Sequence, residues 1–140
     1  MKLKLLLISI IFSVGIHAQE APLQFNELPA SAREFINQHF TSDFHHAIKT
    51  VINKNITYDV FLDDNTEIEF SDTGRWRVVD GKNKAVPHSF IQKQILDYVK
   101  IHHEKETIVT VARTDLNYKI KLSTGLDLIF DKVGVFVKTN

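Results

Sequence analysis

The chain has 140 residues with 17 basic and 17 acidic side chains, so its formal net charge is zero at pH 7 when histidine is neutral. This balance gives no basis for binding nucleic acid, and the absence of cysteine excludes disulfides, thiolate metal sites and a thiol nucleophile. The length suits a single small domain that is stabilised by its hydrophobic core.

The N-terminus has the pattern of a secretory signal peptide. A short basic start precedes an apolar run over residues 5–14, which is too short to span a bilayer. The small residue Ala18 then stands before the polar Gln19. We therefore expect residues 1–18 to be a cleaved signal peptide, a periplasmic or secreted location, and no membrane insertion after cleavage. An uncleaved anchor or a buried helix is the alternative.

The next elements are an arm and a helix, and a second helix follows later in the chain. Residues 19–27 contain a proline and few apolar groups, which is typical of an extended N-terminal arm. A Leu-Pro pair at residues 28–29 and a Val-Pro pair at residues 86–87 are each predicted to open a helix, since proline suits the first helical position. Residues 90–91 are assigned to the second helix, whose broader apolar surface predicts that the two helices differ in length.

Strand-like apolar alternation follows each predicted helix. The predicted strands cover residues 46–53, 56–63, 66–71, 75–80, 106–113, 117–123, 126–131 and 134–139.

The chain repeats itself. Residues 48–80 match residues 108–140 at a constant offset of 60 without a gap. The identical pairs are Ile48/Ile108, Thr50/Thr110, Val51/Val111, Tyr58/Tyr118, Leu62/Leu122, Phe70/Phe130 and Gly74/Gly134. A repeat of this kind predicts one supersecondary unit that is used twice. We therefore predict a single domain over residues 28–140 that is made of two copies, residues 28–84 and 85–140.

The apolar pattern also predicts strand register. Leu62 is placed opposite Ile68, and Phe70 opposite Trp76, with Gly74 at a left-handed turn position. The second copy has the same expected pairs, Leu122/Leu128 and Phe130/Phe136, with Gly134 in the turn. The predicted fold class is α+β, with two tandem pseudo-repeats that each pack a helix on a four-stranded antiparallel sheet.

This register assigns side chains to the two faces of each sheet. The helix-facing set is Tyr58, Val60, Leu62, Ile68, Phe70, Trp76 and Val78. The outward set in the first copy is Asp59, Phe61, Glu67, Glu69, Arg75, Arg77 and Val79. The outward set in the second copy is Lys119, Lys121, Asp127, Ile129, Asp131, Val135 and Val137. Two cross-strand rows are expected on the outward faces, Phe61–Glu69–Arg77 and Lys121–Ile129–Val137.

The recurring motifs resemble those of the PepSY-like proteins of the beta-lactamase-inhibitor-like fold. They are a helix opened by Leu-Pro, followed by Ile-Lys-Thr-Val, Tyr-Asp-Val-Phe-Leu, Glu-Ile-Glu-Phe and Gly-Arg-Trp. The resemblance covers residues 28–140 and implies an exported protein of two helix-plus-sheet units with no known enzyme activity. Relatives of the fold suggest protein binding or inhibition. The chain departs from the pattern at Asn65, where the second hairpin has Gly125, and asparagine tolerates the same left-handed backbone.

Histidine and acidic clusters suggest metal binding but lack the spacing of a site. The histidine pairs at residues 45–46 and 102–103 are expected in helix-to-strand linkers, and adjacent histidines diverge on either a strand or a helix. Residues 63–69 are acidic but do not have the spacing of a calcium loop, which needs a central glycine and a terminal bidentate glutamate. No nucleophile motif or phosphate-binding glycine loop is present either. We therefore predict no metal, no cofactor and no catalytic residues.

The outward sheet face is the remaining candidate site. Trp76 is assigned to the core, whereas its neighbouring arginines point the other way and remain available. The candidate binding residues are Phe61, Arg75, Arg77, Lys121, Ile129 and Val137. Apolar residues on this face are explained either by a partner or by packing within the molecule or a homodimer.

The predicted function is therefore an exported non-enzymatic module that binds an envelope protein or peptide, an envelope enzyme being one candidate target for inhibition. A periplasmic sensor of a small ligand or metal ion is the alternative, and a structural oligomer is a third reading.

Overall fold

A computed structural model describes residues 18–140. Residues 1–17, and with them nearly all of the predicted signal peptide, lie outside the described part. The helices are α1 (Ala30–His39) and α2 (Lys93–His102). The strands are β1 (Gln19–Leu23), β2 (Phe44–Ile52), β3 (Asn55–Leu62), β4 (Glu67–Ser71), β5 (Trp76–Asp80), β6 (Ile108–Arg113), β7 (Asn117–Leu122), β8 (Asp127–Asp131) and β9 (Phe136–Thr139).

All the strands form one antiparallel sheet in sequence order from β1 to β9. The expected division into two sheets is wrong, because β5 pairs with β6 through Val78↔Ala112, Val79↔Val111 and Asp80↔Thr110. Apolar alternation identifies the strands and their faces, but it does not show whether the last strand of one half pairs with the first strand of the next. The fold is α+β with an open nine-stranded sheet.

The predicted arm is instead the first edge strand. β1 pairs with β2 from Gln19↔Val51 to Leu23↔Ala47, and a 3₁₀ turn at Phe25–Glu27 follows. Pro22 is compatible with this strand because an edge strand needs hydrogen bonds on one side only.

The second helix begins later than its Val-Pro pair predicts. Val86 donates its backbone N–H to the carbonyl oxygen of Ile108 at 2.9 Å, so this segment continues along β6. Phe90 and Ile91 lie in the connection that follows, and both helices are ten residues long. The expected difference in helix length is therefore wrong.

One core joins the two halves. Both helices lie on the same face of the sheet, and the buried apolar residues form a single cluster with them. The largest side chains with less than 2% exposure are Phe70, Phe130, Ile68, Ile95, Ile108, Ile120, Leu122 and Leu128. Burying this much apolar surface supplies the main free energy that opposes chain entropy in a chain without disulfides.

The hairpin register is partly as predicted. Phe70↔Trp76 and Phe130↔Phe136 are confirmed, and Gly74 and Gly134 have φ values of 79° and 87°. The placements of Leu62 opposite Ile68 and of Leu122 opposite Leu128 are wrong, because Val60 pairs with Ile68 and Ile120 with Leu128.

The turn at the end of β3 explains why Leu62 does not pair with Ile68. Leu62 donates its N–H to the carbonyl oxygen of Thr66 at 2.9 Å, so the loop is Asp63, Asp64 and Asn65, with Asn65 at φ 69°. Thr66 follows this loop and is buried. A shift of two residues keeps every side chain on its face, so most face assignments survive.

One β-bulge near the end of each half changes which side chains face the helices. The register shifts between Glu69 and Phe70, so Val79 lies opposite Ile68 and is fully buried, while Val78 lies opposite Glu69 on the outward face. The predicted faces of Val78 and Val79 are therefore reversed, because the bulge adds one residue to β5. The same shift recurs between Ile129 and Phe130.

The strict offset of 60 does not extend to the first strand of each half. Tyr58↔Phe70 and Tyr118↔Phe130 share the offset. However, Val111 pairs with Ile120, so it takes the place of Ala47, which pairs with Val60. Val111 is therefore not the counterpart of Val51, because the β2–β3 hairpin is two residue pairs longer than the β6–β7 hairpin, which turns after Thr114 and Asn117.

Candidate functional site

The helices cover only one face of the sheet, and the opposite face, here called the outer face, is built from registered cross-strand rows. One row crosses all nine strands and consists of Pro22, Ile48, Asp59, Glu69, Val78, Ala112, Lys119, Ile129 and Lys138. The next row consists of His46, Phe61, Glu67, Asp80, Thr110, Lys121 and Asp127.

These rows correct the two that the sequence predicts. Phe61 lies opposite His46 and Glu67, not in line with Glu69 and Arg77. The second expected row is also wrong. The pairing of β7 with β8 places Lys121 opposite Asp127 and Lys119 opposite Ile129, and the pairing of β8 with β9 places Ile129 opposite Lys138. Phe61, Lys121 and Ile129 nevertheless stay on the outer face. Arg77 and Val137 occupy the extra positions of the two bulges, and Val137 is 57% exposed.

The half of the outer face formed by β1–β5 is acidic. Asp59 lies opposite Glu69, and burial together with the carboxylates of Glu69, Glu67 and Glu20 raises the pKa of Asp59 above its ordinary value. Lys82 compensates part of this charge through ion pairs to Glu67 at 2.6 Å and Asp80 at 3.0 Å.

The half formed by β6–β9 has the opposite charge pattern. Lys119 and Lys121 pair with Asp127 at 2.8 and 3.3 Å, and Lys138 lies beside them across Ile129. Burial acts to raise the pKa of Asp127, but hydrogen bonds and charge attraction from the two lysines hold it below its ordinary value. The outer face therefore has an acidic side and a basic side, with Val78 and Ala112 between them.

An aromatic pair lies at the acidic side. The rings of His46 and Phe61 stack with centroids 4.5 Å apart and planes inclined by 8°. His45 and His46 lie within β2, not in a linker, and a bulge there brings their Nδ1 atoms to 2.6 Å. The expectation that adjacent histidines diverge is wrong at this point, because it assumes a regular strand.

Three further histidines take part in packing, capping or a side-chain hydrogen bond. His102 belongs to α2, and its ring lies 4.4 Å from that of Tyr98, while His103 caps the helix. His39 Nδ1 lies 2.7 Å from Ser89 Oγ. Within residues 18–140, no group of three or more His, Cys, Asp or Glu side chains is arranged to hold a metal ion.

Arg75 and Arg77 line a cleft that sequence analysis did not predict. It has a volume of about 330 Å³ and lies where β5 and β6 separate. Its lining residues are Ser71, Asp72, Arg75, Trp76, Arg77, Arg113, Thr114 and Asp115. Trp76 is 8% exposed and stacks with Phe35 at 5.8 Å, which confirms its place in the core. Arg113 was missed because the pairing of β5 with β6, which brings it near Trp76, has no signal in the apolar pattern.

A second cleft of about 330 Å³ lies beside α2. Its walls combine apolar Leu96, Val99 and Ile108 with polar His88 and Glu106. This combination of apolar walls and a few polar groups is typical of small-ligand pockets.

The fold and the uncovered sheet face define an α+β helix-on-sheet protein. A sequence model described as "Putative beta-lactamase-inhibitor-like, PepSY-like" matches residues 56–138, and the chain belongs to this PepSY-like family. The resemblance seen in the sequence is therefore confirmed. A comparison with curated proteins gives no match.

Solved structures agree with this assignment. A "putative periplasmic protein of unknown function" from Bacteroides vulgatus is 33% identical with a TM-score of 0.83, covering 87% of this chain and 99% of that one. A "putative calcium-regulated periplasmic protein" from Bacteroides thetaiotaomicron is 28% identical with a TM-score of 0.83, covering 86% and 96%. A "putative periplasmic protein from DUF2874 family" of Bacteroides vulgatus is 28% identical with a TM-score of 0.81 and the same coverage.

The predicted location is also confirmed, and the protein is periplasmic or secreted. In residues 18–140, neither helix is long and apolar enough to cross a membrane.

Proposed function

We propose that this protein is an exported, non-enzymatic binding module that recognises an envelope protein or peptide through its outer face. The observation that carries the proposal is the one-sided placement of the helices, which leaves a registered row across nine strands without a covering layer in residues 18–140. Inhibition of an envelope enzyme would be one form of this activity, and the family description supports it.

The chemistry of the outer face supports a polypeptide partner. Apolar groups such as Phe61, Val78 and Ile129 are half-buried among charged neighbours, and such a mixture is common in protein interfaces. The separate acidic and basic sides would fix the orientation of a partner with complementary charges. Two copies of one unit, which the pairings shared at an offset of 60 support, would present related surfaces side by side.

Single-cysteine cross-linking tests this proposal, since the chain has no cysteine of its own. Cysteine at Val78 or Ile129 would carry a photoactivatable cross-linker on the outer face. Cysteine at Ile101, which is 73% exposed on α2, is the matched control on the opposite side. We expect the same envelope protein to be captured from Val78 and Ile129 and not from Ile101. Equal capture from Ile101 would contradict the proposed face.

Export through a cleaved signal peptide is part of the proposal. β1 begins at Gln19, which is the residue that cleavage after Ala18 would leave at the N-terminus. We expect the mass of the protein isolated from its native envelope to correspond to residues 19–140. A full-length, membrane-bound product would contradict this step.

A sensor of a small ligand or metal ion is the second candidate. One relative is described as calcium-regulated, and the acidic side of the outer face has carboxylates whose repulsion a cation would relieve. The cleft beside α2 offers a site for an apolar ligand. Calcium should raise the melting temperature if it binds the folded protein, because ligands that bind only the native state stabilise it. An unchanged melting temperature with calcium and with chelator would leave the binding module as the better reading.

A further inference from the structure

The cleft between β5 and β6, here called the seam cleft, arises from an early end to strand pairing. The two strands share only three residue pairs, and the last towards the cleft is Val78↔Ala112. Beyond it, the Arg113 side chain replaces a backbone partner, because its Nε donates a 2.8 Å hydrogen bond to the carbonyl oxygen of Trp76. The gap is therefore lined by side chains instead of a continuous ladder.

Three arginine residues line this gap. Arg75 and Arg77 are exposed on either side of Trp76, and Arg113 is half-buried with its guanidinium carbon 4.2 Å from the centroid of the Trp76 ring. Burial, with a smaller contribution from the nearby Arg75, lowers the pKa of Arg113, while Tyr118 and Asp115 oppose this effect. Arginine nevertheless stays charged at neutral pH.

The positive charge of the cleft has no direct counterion in the described chain. Among residues 18–140, Arg75, Arg77 and Arg113 form no ion pair within 4.0 Å. Asp72 and Asp115 also line the cleft, but Asp72 accepts the backbone N–H of Thr73 at 2.8 Å within its own turn. Three arginines against two aspartates among the lining residues leave an excess of positive charge.

We propose that the seam cleft binds a small anionic ligand and seats its carboxylate or phosphate group between Arg75, Arg77 and Arg113. Guanidinium forks match the oxygen pairs of carboxylate and phosphate, and such charge-assisted hydrogen bonds are strong. The stacking of Arg113 on Trp76 holds one fork in place before the ligand arrives, which reduces the entropy lost on binding. A volume of about 330 Å³ suits a small molecule. This site is separate from the outer-face rows and does not depend on their function.

The chain provides its own reporter for this site, because Trp76 is its only tryptophan. Its fluorescence can be followed during titration with inorganic phosphate and, separately, with malonate, while sodium chloride keeps the ionic strength constant. We expect a saturable change with at least one anion. A response to phosphate alone assigns the site to phosphorylated ligands, and a response to malonate alone assigns it to carboxylates. Comparable responses to both support recognition of either oxyanion.

Variants separate this site from general salt effects. The change Arg75→Gln with Arg77→Gln alters exposed side chains, so folding should persist, and it should weaken the apparent affinity by about tenfold or more. The control Lys105→Gln with Lys132→Gln removes the same charge from exposed positions elsewhere and should bind as wild type does. Arg113→Gln should weaken binding as well, but it also removes contacts with Trp76. No saturable response in wild type, or equal affinity in the Arg75/Arg77 variant and wild type, would overturn the proposal.

Discussion

Arg113 holds Trp76 in two ways. Its guanidinium covers the indole ring at 4.2 Å, and its Nε donates to the carbonyl oxygen of the same residue at 2.8 Å. Because this contact connects β6 to β5 beyond their last residue pair, Arg113→Met should lower the free energy of unfolding by about 1–2 kcal/mol. Urea denaturation followed by circular dichroism measures the loss. The control Arg77→Met, at an exposed bulge position, should have little effect.

The two glycine turns beside β4 and β7 allow a matched test of helix docking. A Cβ added at Gly74 would overlap Ser31 Oγ and lie 2.7 Å from Pro29 Cβ, at the start of α1. Gly125 has a similar φ of 89° but open space around it. Gly125→Ala should therefore cost about 1–2 kcal/mol from backbone strain alone.

Gly74→Ala should cost clearly more than Gly125→Ala, since the helix must also move. Chemical denaturation of the two variants under one set of conditions gives the comparison. If both variants lose the same free energy of unfolding, α1 and the β4–β5 turn can move apart without loss of stability.

The outer face should show opposite charge effects on its two sides. The pKa of Asp59 is raised in the folded state, so its ionisation opposes folding as pH rises through that value. Asp59→Asn should therefore stabilise the protein at pH 7 by roughly 0.5 kcal/mol, equivalent to roughly 2 °C.

The pKa of Asp127 is lowered, so its stabilising effect is present above the ordinary value of 3.8 and is lost as pH falls through the folded-state value. Asp127→Asn should accordingly destabilise the protein at pH 7 by about 1 kcal/mol, after allowing for the partly exposed lysines. Melting curves from pH 7 down to acid should show both differences shrink. A destabilising Asp59→Asn would mean that its carboxylate has a favourable partner.

The single sheet predicts that neither half folds alone. β5 buries Val79 against strands of both halves, and the ring of Phe90 lies 5.2 Å from that of Trp76. A fragment of residues 19–84 loses these contacts and buries too little apolar surface to offset its chain entropy. Thermal unfolding by circular dichroism should show no cooperative transition in this fragment. A sigmoidal transition would contradict the single core.

The sequence predicts strand positions and faces well because both depend on local alternation. All eight predicted strands exist within a few residues of their expected bounds. The assignment of Val60 and Ile68 to the core survives a register error, since a shift of two residues preserves the face.

Features that depend on distant pairing or on one extra residue were not predictable in the same way. The bulge at Arg77 exchanges the faces on which Val78 and Val79 lie, and no residue in this segment indicates a bulge. The seam cleft needs β5 beside β6, and nothing in either strand alone specifies that neighbour. If the two halves are assumed to form one sheet, antiparallel pairing of Val78 with Ala112 places Arg77 close to Arg113, so the arginine cluster follows from that single additional fact.

The outer face and the core should respond differently to an added carboxylate. Phe61 and Phe70 belong to neighbouring strands of the same hairpin, but Phe61 is half-buried on the outer face whereas Phe70 is fully buried beneath the helices. Phe61→Glu combined with Ile129→Glu should leave a folded protein, because water can still reach both carboxylates. Phe70→Glu should abolish cooperative unfolding, because it would bury a charge without a partner. Ile101→Glu, at a 73% exposed position, is the control for adding a carboxylate and should melt as wild type does.

If the double variant is as unstable as Phe70→Glu, the outer face is packed in the native protein and cannot be a free binding surface. If it is folded but its capture of the envelope partner is unchanged, the partner contacts a different part of the molecule.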